Sequence, residues 1–150
     1  MSPDPDRTPS GHPIVSGRQQ ATRIWAITLP FRMARRVENG SLVFWAPGGR
    51  LTLWLSAWGA GAGEPAFDRE ARWVSVIAGV DPRATDRAAD QSGAVWRYRY
   101  RLAETAEDDR APAFYGHAVG RSGHLQFAAY FDDEATAATA AAAFLSVENS

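Results

Sequence analysis

Residues 41–58 read SLVFWAPGGRLTLWLSAW, and the alternation within this stretch decides the fold. Two runs rich in leucine, valine and aromatic residues, 42–46 and 51–58, flank Pro47-Gly48-Gly49, a sequence suited to reversing the chain. Successive side chains of a strand point to opposite faces. Leu42, Phe44, Leu51, Leu53 and Leu55 therefore share one face, and Val43, Trp45, Trp54 and Trp58 share the other. Neither face is polar, so the sheet must be covered on both sides over part of its area.

Toward the N-terminus, Asn39-Gly40 predicts a tight hairpin, because both central residues of a type I′ turn need positive φ. A strand ending near Glu38 precedes it. Before that, Ile24-Trp25-Ala26-Ile27-Thr28-Leu29 reads as a strand closed by Pro30, which has no N–H for a ladder. Residues 1–22 carry Pro3, Pro5, Pro9 and Pro13 among Ser, Asp and Gly, the composition of a mobile tail. Their apolar content, Ile14 and Val15, is far short of the roughly 7–15 residues at the centre of a secretory signal. The expectation is a disordered tail over 1–22, one domain over 23–150, and a cytoplasmic location. The absence of Cys is compatible with that location.

Beyond the first hairpins, Glu64-Pro65 predicts the opening of a helix with Phe67, Ala71, Val74 and Ala78 as its inner stripe. A strand through 73–77 competes, since Val74, Val76 and Ile77 are β-branched. Asp81-Pro82 ends the element, and polar residues 85–93 read as a connection. In the second half, Trp96, Tyr98, Tyr100 and Leu102 alternate strictly with Arg97, Arg99 and Arg101. Residues 104–110 are a charged turn. Residues 112–119 and 124–131 then form a hairpin across Gly120-Arg121-Ser122-Gly123. With Arg121-Ser122 as its loop, Phe114, Gly116 and Ala118 oppose Ala129, Phe127 and Leu125, leaving Gly116 as bare backbone for the Phe127 ring. Tyr115, His117, Val119, His124, Gln126 and Tyr130 take the other face. Asp132-Asp133-Glu134 suit the first turn of an alanine-rich helix running from 135 to about 147. The fold class is α+β: an antiparallel sheet of about six strands with two helices packed on it.

Composition removes several chemistries. The chain has 150 residues, 45% of them hydrophobic, and 16 basic against 17 acidic groups leave a net charge of -1. That balance gives no general attraction to nucleic acid or to an anionic membrane. No apolar run approaches the roughly 18 residues of a spanning helix. The lack of Cys excludes thiol catalysis and disulfides, and the lack of Lys excludes a Schiff base or a P-loop lysine.

The segments ITLP (27–30) and LVFWAPGGRLTLWL (42–55), with the Asn39-Gly40 hairpin between them, resemble the start of PsbP-like domains. AVWRYRYRLAE (94–104) and GHLQFAAYFDDEATAATAAAAFLSV (123–147) resemble the end of small bacterial members of that superfamily. The likeness covers about residues 23–147. It departs at Ala142-Ala143-Phe144, where the superfamily often places a Trp before the final Ser. The resemblance implies a PsbP-like α+β fold and non-catalytic binding of partners, as in a photosystem II extrinsic protein, a Ran-binding import factor and secretion-system chaperones. It implies no shared active site.

Three groups of residues are candidate sites. Trp45, Trp54 and Trp58 share a face, and such rings are either core or an exposed docking patch for a protein partner. Arg97, Arg99 and Arg101 project from one strand face about 6–7 Å apart, fit to grip a phosphate or an acidic partner, or simply to be solvated. Stacking rings do not accompany them, since Tyr98 and Tyr100 point the other way, so nucleic acid is not expected. His117 and His124 lie diagonally on one face with Tyr115 and Tyr130 nearby. Without a third ligand or a partnering acid they predict no metal site and no cofactor. Gly59 to Gly63 lacks the strand-to-helix context of a phosphate loop. The leading expectation is a non-enzymatic module that engages a protein partner, adaptor- or chaperone-like, through the tryptophan face, the arginines or the loop from Gly59 to Pro65. The alternative is a small-molecule-binding protein or enzyme with a pocket between sheet and helix lined by Tyr115, His117 and Tyr130. Self-association as a homodimer would also cover a two-faced apolar sheet.

Overall fold

Antiparallel pairing organises nearly everything in the computed structural model, which describes residues 4–46, 48–59, 66–103 and 111–150. The first strands are β1 (Ile14–Val15), β2 (Arg18–Gln20), β3 (Trp25–Thr28), β4 (Met33–Glu38), β5 (Ser41–Trp45) and β6 (Thr52–Gly59). Helix α1 (Arg69–Ala78) follows, then β7 (Thr85–Asp90), β8 (Trp96–Leu102), β9 (Ala113–Val119) and β10 (Gly123–Tyr130). A 3-10 turn (Glu134–Thr136) leads into α2 (Ala137–Leu145), and β11 (Glu148–Asn149) follows it. The main sheet has eight strands in the order β1-β4-β5-β6-β10-β9-β8-β7, and a smaller one has the order β11-β3-β2. No helix among the described residues is long and apolar enough to cross a membrane.

Registers follow the alternation. Asn39 (φ 50°) and Gly40 (φ 82°) close the β4–β5 hairpin. Leu42 faces Leu55 and Phe44 faces Leu53, while Phe114, Gly116 and Ala118 face Ala129, Phe127 and Leu125. This surface, with Trp25, Ile27 and Met33 of the neighbouring strands, forms the main core under Ala140, Ala143 and Phe144 of α2. The ring seated on Gly116 is Phe144 rather than the cross-strand Phe127: a Cβ at Gly116 would lie 2.5 Å from that ring. Burying a phenylalanine of this kind is worth about 2–3 kcal/mol.

The sheet has eight strands, not about six, because two segments without apolar alternation join its edges. Ile14–Val15, within the segment expected to be a tail, pairs with Met33 and Ala34. Arg18–Gln20 joins β3 in the small sheet. Residues 85–90, read as a connection, form β7 on β8, irregular between Thr85 and Ala88 and with Asp86 at φ 53°. All six residues of β7 are exposed, so its ladder with β8 and the Arg87 bonds to the Ala84 and Asp81 carbonyls hold it, and its charges guard an open edge.

Helix wins over strand at 69–78, yet the stripe differs from the expected one. Asp68 caps the helix by accepting from the Ala71 N–H. The buried side chains are Trp73 and Val76, whereas Val74 is 67% exposed. Helical spacing allows two apolar stripes here, and the one carrying the large indole wins because it removes more surface from water. Trp73, Val76 and Val80 pack on Tyr98, Tyr100 and Val119, the face opposite α2. Glu64-Pro65, most of the loop from Gly59 to Pro65, and the turn at 104–110 lie outside the described residues.

Candidate functional site: a groove between the first helix and the sheet

Strand registers set one wall of the site. Trp58 stands opposite His124, His124 opposite Val119, and His117 opposite Gln126. Tyr98 faces His117 and Tyr100 faces Tyr115. Directly opposed residues share a face, so an aromatic and imidazole surface spans four strands. Helix α1 lies over part of it. Between the two opens a groove of about 500 Å³, lined by Trp58, Arg72, Ser75, Tyr100, His117 and His124 among others.

The polar groups within it are linked. His117 Nδ1 lies 2.9 Å from His124 Nε2, and Arg72 Nη1 lies 3.2 Å from His124 Nδ1. A guanidinium can only donate, so His124 Nδ1 accepts. His124 therefore carries its proton on Nε2 and donates to His117 Nδ1, which places the His117 proton on Nε2. Each tautomer is assigned by the partner before it in the chain Arg72, His124, His117. Burial pulls His124 down to about 3, with the charges of His117 and Arg72 adding to the effect. Burial also pulls His117 down to about 4. Both rings are thus neutral at neutral pH, as the tautomers require. Trp58 packs on His124 with centroids 5.4 Å apart, and Tyr100 stacks on His117 at 6.3 Å and on Tyr115 at 5.4 Å.

Other expected site residues are distributed differently. Tyr115 and Tyr130, whose hydroxyls are 3.4 Å apart, adjoin the histidines on the same face but do not line the groove. Trp45, Trp54 and Trp58 share a face without forming one exposed patch. Trp45 and Trp54 are half-buried. Arg36 stacks over Trp45 at 4.7 Å, and His12 meets its edge at 5.3 Å. Trp58 is 47% exposed and walls the groove instead.

The arginines lie on the α2 side. Arg97 Nη2 donates to the Val147 carbonyl at 2.6 Å. Arg101 donates to both Glu134 oxygens at 2.6 and 2.8 Å and also to the Pro112 carbonyl. Those contacts hold the two ends of the α2 segment. Arg99 borders a smaller cavity of about 240 Å³ beside Phe144 and Leu145. Asp133 caps the turn before α2 by accepting from the Ala135 N–H. Among the described residues no group of three or more His, Asp or Glu is placed to hold a metal ion.

The sequence pattern does not single out Arg72 and Ser75, because it equally allows a Phe67, Ala71, Val74 and Ala78 stripe for α1. Their signal was the spacing Arg72, Ser75, Gly79, which flanks the Trp73, Val76, Val80 stripe on the helix surface. Set against known proteins, the chain matches no family model, no curated protein and no solved structure.

Proposed function

We propose that the protein is a non-catalytic ligand-binding module that seats a small molecule in the groove between α1 and the main sheet. The observation carrying this reading is the chain from Arg72 through His124 to His117, contributed by three different elements and set among aromatic rings. A hydrophobic interface alone has no use for three linked polar side chains, each of which costs desolvation. The groove volume of about 500 Å³ falls in the usual range for small-ligand pockets, which combine apolar walls with a few placed polar groups. Neither imidazole hydrogen-bonds a hydroxyl or a carboxylate among the described residues, the arrangement that base or nucleophile activation needs. Non-catalytic binding also accords with the PsbP-like resemblance of residues 23–147. Protein docking through a tryptophan patch is less well supported, since Arg36 and His12 cap Trp45.

A thermal-shift screen of the whole chain against small metabolites tests this reading. A ligand at about 100 times its Kd stabilises by about 2.7 kcal/mol, a rise of roughly 5–10 °C for a chain of this size. The expected result is such a rise, abolished by Trp58→Ala together with His117→Ala in a variant that remains folded. A screen without any shift, or one whose hits survive the double substitution, contradicts it.

A further inference from the structure

We propose that the ligand of this groove is an aromatic monocarboxylate, its carboxylate held by Arg72 and the His117 Nε2–H and its ring laid against Trp58. The inference rests on the groove being a binding site and adds the chemistry of what it takes.

Charge comes first. Arg18, Arg32, Arg36, Arg83 and Arg101 each pair with a carboxylate within 3.0 Å. Arg72 has no such partner among the described residues; its contacts are the His124 nitrogen and the Phe67 ring 5.3 Å away. Among the described residues no acidic side chain lines the groove. A guanidinium has five N–H donors and one is engaged, so Arg72 retains the planar edge that matches a carboxylate.

The second donor follows from the tautomers. Because Arg72 fixes the His124 proton and His124 fixes that of His117, the His117 Nε2–H is committed as a donor and has no acceptor among the described residues. Arg72 and His117 thus offer N–H groups from the helix side and the sheet side of one groove, both lining it. Two donors and no acidic lining suit an anion, and a carboxylate accepts from both.

The magnitude of the charge sets the class. With both imidazoles neutral, the described residues of the groove carry a single positive charge, matched by a monoanion and not by a phosphate dianion. The flat, partly exposed Trp58 ring beside His124 supplies an apolar wall for an aromatic body.

The test titrates the full chain at pH 7 with benzoate, benzamide and inorganic phosphate, by calorimetry and by amide and indole resonances. The expected result is benzoate binding at least tenfold tighter than benzamide or phosphate, with the Trp58 indole and the His117 region shifting. Arg72→Gln should weaken benzoate about tenfold and benzamide by a smaller factor. Equal affinity for benzoate and benzamide at these residues overturns the carboxylate assignment but leaves the binding groove standing. Tighter phosphate binding there does the same. If no probe perturbs Trp58 or His117 and metabolite hits map elsewhere, both the ligand class and the groove fail. The comparison of benzoate with benzamide needs no variant, so misfolding of Arg72→Gln does not shield the proposal.

Discussion

His124 is 6% exposed, yet an arginine and a second histidine are its hydrogen-bonding neighbours. Burial favours the neutral form of such a ring, and this has a signed consequence. His117 and His124 titrate near 4 and 3 in the fold and near 6.5 when unfolded. Between those limits the unfolded chain binds more protons, so stability is full above about pH 6.5 and falls as pH drops toward 3. At ~1.4 kcal/mol per unit, and discounting His117 for its partial exposure, we expect a loss of about 2–4 kcal/mol between pH 7 and pH 5. Denaturant melts across that range check it. His117→Gln with His124→Gln should flatten the dependence, and an equally steep curve in that variant contradicts the assignment. The pairing of these histidines was legible in the sequence because the Gly120–Gly123 turn and strict alternation fix the hairpin register. Their arginine partner was not, since it arrives from a helix whose rotation the local pattern leaves ambiguous.

At the scale of elements, the rotation of α1 decides whether the groove exists. The Trp73 stripe on the sheet points Arg72 into the groove, while a Val74 stripe would turn it away. Trp73→Ala should therefore cost about 3–5 kcal/mol, as for other buried aromatics, while Val74→Asp should stay within about 0.5 kcal/mol. Urea unfolding of the two variants reads this directly, and a reversed order of effects would place the helix on its other face. The strands of the main core were legible because each buries one face, which ties period two to packing. Strands β1, β7 and β11 were not. Two-residue strands have no period, and an edge strand with every side chain in solvent imposes no apolar pattern.

For the whole molecule, the two-faced sheet explains both the cover and the gap. The face carrying Phe44, Leu53 and Phe127 is closed by α2 and the small sheet. The opposite face receives α1, whose ten residues span about 15 Å. Eight strands at about 4.8 Å extend more than twice as far. A helix of that size leaves the rest of the face to its own side chains: Arg36 and His12 cap Trp45 on one side, and the groove remains on the other. Helix α1, Arg36 and His12 thus cover part of the apolar surface on that face. Among the described residues the exposed large hydrophobics are Val37, Trp58, Val74, Ile77 and Leu145, of which Val74 and Ile77 lie one turn apart on α1. Paired strands, two-sided cover and a pocket between sheet and helix beside His117 were readable from alternation; its lining by Trp58, Arg72 and Ser75 in place of Tyr115 and Tyr130 was not, because it depends on where a short helix stops.

Arg72, His124 and His117 form an ordered chain of donors ending in the groove. Long-range proton–nitrogen spectra of the two imidazoles at pH 7, with and without benzoate, test it most directly. Both rings should be neutral with protons on Nε2, and the His117 Nε2 resonance should move when benzoate is added. A cationic ring, a proton on Nδ1 of either residue, or a His117 signal indifferent to benzoate would rule out this chain of donors.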